Sequence, residues 1–160
     1  MRLLIAAVGR LKQGPEREFF AHYLARAETA GRKLGLSPVT VIEVPESRGP
    51  TAATRCKAEA AALLAKLPHS YARIALDRTG EPLGSEAFAR ALAKLRDEGA
   101  EGVAFLIGGA DGLGGEALPR PIRRVSLGPM TLPHGLARIV LAEQLYRAAT
   151  ILAGHPYHRG

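Results

Sequence analysis

The sequence predicts an α/β fold, a mostly parallel sheet flanked by helices. Three observations predict it. Short apolar runs of strand length alternate with longer stretches that carry helix start and stop signals. The resulting order, β-α-β-α-β-α-β, needs crossover helices that join parallel strands. At 160 residues and 47% hydrophobic composition, the chain is the size of one ordinary domain and can bury a core without disulfides or metal. No linker, repeat or low-complexity segment divides residues 1–160.

The first strand is the apolar run Leu3–Val8. Pro15–Leu34 follows as a helix, opening on proline and acidic residues and ending before Gly35. Val39–Val44 is the second strand. Thr51–Leu67, rich in Ala, Leu and Lys, is the second helix, and Arg73–Asp77 the third strand. Ser85–Glu98 reads as an amphipathic helix with Phe88, Leu92 and Leu95 on one face and Gly99 beyond its end. Val103–Ile107 is the fourth strand. The glycine-rich loop Gly108–Gly115 comes next, then a brief helical turn ended by Pro119 and Pro121. Arg120, Arg123 and Arg124 form a basic cluster, and Val125–Leu127 suits a short strand. A second loop, Gly128–Pro133, precedes a long helix over His134–Ala153, which Gly154 stops. The polar tail His155-Pro156-Tyr157-His158-Arg159 nearly ends the chain.

Charge and cysteine content narrow the function. Twenty-two Lys and Arg against fifteen Asp and Glu give a formal charge of +7. A domain this basic suits a polyanionic partner, with salt-sensitive binding. No lysine-rich tail exists, so a nucleic-acid surface has to be built from folded elements. The single cysteine, Cys56, excludes an intrachain disulfide and suits a reducing cytoplasm. The apolar run at the N-terminus is too short for a signal peptide and lacks a small-x-small cleavage site. No run approaches the length of a membrane span.

The glycine loop sits at the carboxyl end of a parallel strand, where open α/β sheets bind ligands. Gly112–Ala117 matches the G-x-G-x-x-A dinucleotide pattern. Pro119 follows too soon for a full crossover helix, and the loop follows the fourth strand rather than the first. No Gly-Lys-Ser/Thr makes it a P-loop, and no Gly-x-Ser-x-Gly marks a hydrolase. The alternative is a tight turn that needs positive φ. The second loop, Leu127–Leu132, offers apolar side chains and backbone groups that suit an adenosine, and little acid–base chemistry. Otherwise it is a connection covering the core. In the tail, His155 and His158 have metal-ligand spacing, but Pro156 blocks a continuing helix and no third ligand lies near. Histidine, tyrosine and arginine side chains together can instead stack on a base, bind phosphate or move a proton. The alternative is a frayed terminus. Cys56 lies between Arg55 and Lys57, cations that lower a thiol pKa. With no partner histidine suggested nearby, a structural thiol is the favoured reading. His22 and His69 read as surface residues.

The residues also resemble a known family along the whole chain. Leu4–Gly9, Ile42–Pro45, Ala75–Asp77, Phe105–Leu113, Met130–His134 and Ala142–Ala148, leading into His155–Arg159, match in order and spacing the RlmH-type methyltransferases of the SPOUT superfamily. The resemblance implies a C-terminal deep trefoil knot, a homodimer, and S-adenosyl-L-methionine (SAM) held in the knotted loops. It implies methylation of N3 of a pseudouridine in a stem-loop of 23S rRNA on assembled ribosomes, with neither metal nor membrane. Carried over by position, the SAM contacts are Leu76, Gly108, Leu127, Gly128, Pro129, Met130, Thr131 and Leu132. Arg138, His155, Tyr157, His158 and Arg159 become candidates for RNA or the target base, with Arg138 and Arg159 as RNA contacts. Gly135-Leu136-Ala137 and Gly160 depart mildly from the family pattern.

The expected chemistry is removal of the N3 proton by His155 or His158, with Arg159 stabilising charge on a ring carbonyl and Tyr157 the remaining catalytic candidate of the tail. The rival readings are a related enzyme acting on another RNA position and a non-catalytic RNA-binding or ribosome-assembly protein.

Overall fold

A computed structural model of the chain describes residues 1–113, 118 and 122–159. The rest of the glycine-rich loop (Gly114 and Gly115), Glu116, Ala117, the prolines at 119 and 121, Arg120 and Gly160 lie outside the described residues, and with them the expected short turn.

The elements are β1 (Arg2–Val8), α1 (Pro15–Arg32), β2 (Val39–Val44), α2 (Ala52–Ala65), β3 (Ala72–Pro82), α3 (Ser85–Asp97), β4 (Gly102–Ile107), β5 (Arg123–Ser126) and α4 (His134–Leu152). Each helix follows from local chemistry. Pro15 opens α1 where an N–H has no helical partner, and Glu16 and Glu18 face the positive end of its dipole. Thr51 caps α2, its side chain accepting the Thr54 N–H at 3.1 Å. On α3, Phe88 and Leu92 of the expected stripe are buried and Leu95 is half-buried, with Ala89 buried beside them.

The five strands form one sheet in the order β2-β1-β4-β3-β5, every pair parallel. Both faces are covered, so β1 from Leu3 to Val8 and all of β4 are buried and carry no polar side chain. Leu3, Ile5, Ala7, Val103, Phe105 and Ile107 face one side, against Phe20 of α1, Phe88 and Leu92 of α3, and Leu141 and Leu145 of α4. Leu4, Ala6, Val8, Ala104 and Leu106 face the other, against Ala60 and Leu63 of α2.

Strand β3 runs on to Pro82, beyond the expected end at Asp77. It pairs with β5 twice, Leu76 and then Glu81 both opposing Val125 across a bulge. Gly80 permits this. A Cβ there would lie 2.7 Å from the Arg124 carbonyl carbon and the Val125 nitrogen. The bulge is tied by Asp77, which accepts the backbone N–H and hydroxyl of Thr79, each at 2.8 Å, and pairs with Arg124. Burial pushes the Asp77 carboxyl up, but Thr79 and Arg124 outweigh it and hold the pKa below the usual value.

Arg138, expected to contact RNA, is buried within the chain. Its side chain is 0% exposed. Its guanidinium pairs with Glu43 of β2 at 2.7 Å and donates to the carbonyls of Val8 (2.7 Å) and Gly9 (2.6 Å) at the end of β1. These partners occupy the fork that a phosphate would need. Burial lowers the Arg138 pKa, opposed by Glu43. Arg138→Met should cost about 3–5 kcal/mol, because Glu43 and two carbonyls lose a shared partner. Urea unfolding should show a lower midpoint at unchanged slope. A change within about 0.5 kcal/mol would show that the fork is dispensable.

Candidate functional site

A cavity of about 300 Å³ opens at the carboxyl ends of β3 and β5. Its walls are mainly apolar, with Leu76 and Leu83 from β3 and its exit, Val125 and Leu127 from β5 and its exit, Phe88 from α3, and Val140 and Leu141 from α4. Three polar side chains interrupt them: Ser85, Ser126 and Gln144. Pro82, Gly84 and Gly128 complete the lining, and a Cβ at either glycine would project into open space. Gly128 has φ +124°, which L side chains rarely adopt, and its N–H donates to the Ser126 hydroxyl at 3.1 Å. The combination of apolar walls, a few fixed polar groups and backbone at the rim suits a flat heterocycle with polar edges.

The polar side of the cavity leads directly to the tail. Ser85 Oγ donates to Gln144 Oε1, and Gln144 Nε2 to Glu143 Oε2, both at 2.7 Å. Glu143 Oε1 accepts the Tyr157 hydroxyl at 3.0 Å and the Arg147 guanidinium at 2.6 and 2.9 Å. Tyr157 is further packed by the Tyr146 ring, 4.6 Å away, and by the Arg147 guanidinium, 4.8 Å from its centroid. Burial first, and then Glu143, push the Tyr157 phenol up to about 12.

The two tail histidines face different surroundings. His158 sits with Nδ1 3.4 Å from Arg147 Nη1 and Nε2 3.7 Å from Glu86, the neighbour of the cavity residue Ser85. His155 is exposed and accepts the Tyr157 N–H on Nδ1 at 3.2 Å. It lines a second cavity, about 510 Å³, between α1 and α4, together with Ala25, Ala30, Ala149, Ala153, His22 and Arg26. Arg159 is exposed. Among the described residues, no three His, Cys, Asp or Glu side chains gather as a metal site. Among them, too, no helix is long and apolar enough to cross a membrane.

None of the described residues of the glycine-rich loop, 108–113, lines the first cavity. Gly112 has φ +74° and donates to the Gly109 carbonyl at 3.0 Å, the tight turn that the glycines allow. Helix α2 holds it there. Arg55 grips Asp111 through two bonds of 2.7 and 3.2 Å, and the Cys56 thiol donates to the Gly112 carbonyl at 3.3 Å. Burial pushes the Cys56 pKa up, against the lowering that Arg55 provides, which supports a structural thiol.

Of the residues expected to hold a ligand, Leu76, Leu127 and Gly128 line the cavity. Gly108 is buried beneath the glycine turn. Pro129, Met130 and Thr131 are exposed and Leu132 is half-buried, and none of these four lines the cavity. Sequence reasoning missed Ser85 and Gln144. The available signals were weak: a serine at a helix start, and one amide on an otherwise apolar helix face.

Comparison with known proteins completes the picture. A family model described as "Predicted SPOUT methyltransferase" matches residues 1–158. A protein of Bradyrhizobium diazoefficiens named "Ribosomal RNA large subunit methyltransferase H" is 53% identical over 159 residues, covering 99% of both chains. One of the same name from Rhodopseudomonas palustris is 52% identical at the same coverage. Among solved structures, a probable methyltransferase from Bordetella pertussis Tohama I matches with a TM-score of 0.50 at 18% identity, covering 92% of this chain and 96% of that one. That likeness concerns the fold alone.

Proposed function

The chain belongs to the SPOUT methyltransferases, which use SAM, and on that premise we propose that it methylates N3 of a pseudouridine in a 23S rRNA stem-loop on assembled ribosomes in the cytoplasm. Membership brings the trefoil knot of that family with it. The observation that carries the reading is an apolar cavity at the strand ends whose polar wall runs into a tail of ionisable side chains. Full-length identity of about half to proteins named as large-subunit rRNA methyltransferases supports the substrate class. So does the +7 charge.

The cavity fits the cofactor. Leu76, Phe88, Val125, Leu127 and Leu141 would hold an adenosine between apolar surfaces, while Ser85, Gln144 and the Gly128 backbone would read its polar edges. When bound, SAM supplies a methyl group already activated on a sulfonium, so the site has to hold and align rather than activate. Gly108 and Pro129–Leu132 remain proposed contacts for the rest of the cofactor.

The acceptor side falls to the tail. Pseudouridine N3–H is a poor nucleophile until its proton leaves. His158, beside the α3 residue next to Ser85, is the better positioned of the two histidines to take it. Tyr157, anchored on Glu143, keeps the segment in register, and exposed Arg159 is free to meet a ring carbonyl or phosphate. His155 points instead to the groove between α1 and α4. That small-residue groove is the proposed seat of a second copy, giving a homodimer.

Labelled methyl transfer from SAM to ribosomes, followed by mapping of the modified nucleotide, should find one pseudouridine of 23S rRNA. Absence of cofactor binding by calorimetry would favour a non-catalytic RNA-binding protein. Replacing His155 and His158 together should cut turnover about 100-fold with cofactor affinity little changed, because Tyr157 still seats the tail. Normal methylation by that double variant would exclude a proton-transfer role. Sedimentation should give twice the 17.0 kDa chain mass. Ala25→Glu, an exposed groove position, should give the single-chain mass, and a dimer that survives it uses another face.

A further inference from the structure

Glu143 stands between the cavity and the tail and uses one oxygen for each. Its Oε2 accepts from Gln144, whose other end accepts from Ser85 in the cavity wall. Its Oε1 accepts from Tyr157 and from two nitrogens of Arg147. The side chain is 16% exposed. An i,i+4 ion pair within one helix adds little to stability, whereas burying a carboxylate is costly unless several donors meet it. Here the donors come from α4 and from the tail, and through Gln144 the run continues to α3. Hydrogen bonds in such a run polarise one another, so a change at one end is felt at the other.

From this geometry we infer that Glu143 is a positioning residue, which sets the C-terminal segment against the cofactor cavity so that filling the cavity and seating the tail favour each other. The inference rests on the cofactor reading above. It adds that cofactor contact with Ser85 or Gln144 pulls the run taut and fixes Tyr157. The coupling is reciprocal, so releasing the tail weakens cofactor binding by the same factor that cofactor binding favours the seated tail.

The full chain holds four tyrosines, so labelling with 3-fluorotyrosine gives four fluorine signals, and Tyr157→Phe identifies the relevant one. Adding SAM, with binding measured in parallel by calorimetry, should move the Tyr157 signal in the unaltered protein. Ser85→Ala leaves every tail contact in place but removes the cavity end of the run, and should abolish most of that movement. Glu143→Gln should lose the movement and bind SAM roughly fivefold more weakly, while an unchanged Tyr71 signal reports an intact fold. A purely structural Glu143 would leave the Ser85→Ala response as it is in the unaltered protein. SAM binding with no movement of the Tyr157 signal, or a normal response in Ser85→Ala or Glu143→Gln, overturns the inference. No heat of SAM binding to the unaltered protein instead overturns the cofactor assignment, and the inference falls with it.

Discussion

The buried guanidinium of Arg138 ties the last helix to the first strand, and the rest of the architecture depends on that knot of hydrogen bonds. Its fork meets Glu43 and the carbonyls of Val8 and Gly9. Those carbonyls lie at the end of β1, where Val8 makes the last parallel pairing with β2, opposite Val44, one residue past the last pairing with β4. A charge taken this far from water is tolerable only when its partners are fixed. Fixing them sets the start of α4, and thereby sets where Val140, Leu141 and Gln144 fall on the cavity wall. The cavity is therefore positioned by an interaction on the opposite side of the sheet's centre.

The cavity itself follows from how the sheet ends. β3 and β5 are bound twice across a bulge, so their exits stay close while the chain between the two pairings loops out. Helices α3 and α4 lean in from one face, contributing apolar residues and one serine–glutamine pair. Such a site has little acid–base power within it. The titratable side chains stand outside, on the tail, joined to the wall through Glu143. On the proposed reading, binding and proton transfer fall to different segments that share one hydrogen-bonded seam.

Much of this was legible in the sequence, and the misses have physical causes. Apolar alternation and helix punctuation are local, so the strands and helices emerged with ends displaced by a few residues at most, save β3. Its extension depends on Gly80 meeting the backbone of Arg124 and Val125, a contact between distant segments. The burial of Arg138 was not legible because arginine is ordinarily a surface cation, and its carbonyl partners lie 129 and 130 positions earlier. Leu76, Leu127 and Gly128, expected from the family resemblance, line the cavity, and the apolar character of the second loop pointed to the latter two. Ser85 and Gln144 were not found, because their importance comes from meeting each other across 59 positions. The glycine loop attracted notice for its composition, yet Gly112 serves a turn clamped by Arg55 and Cys56.

The order of the strands bears on how the chain is made. β1 emerges from the ribosome first but lies between β2 and β4, so one of its edges stays unpaired until residue 102 and beyond have been translated. During that interval a strand buried on both faces in the finished protein carries an open, apolar edge, the kind that recruits other chains. Every residue lining the cavity lies at position 76 or later. Synthesis therefore delivers an adhesive scaffold first and a binding site last, which makes the nascent first half the stretch most in need of a chaperone.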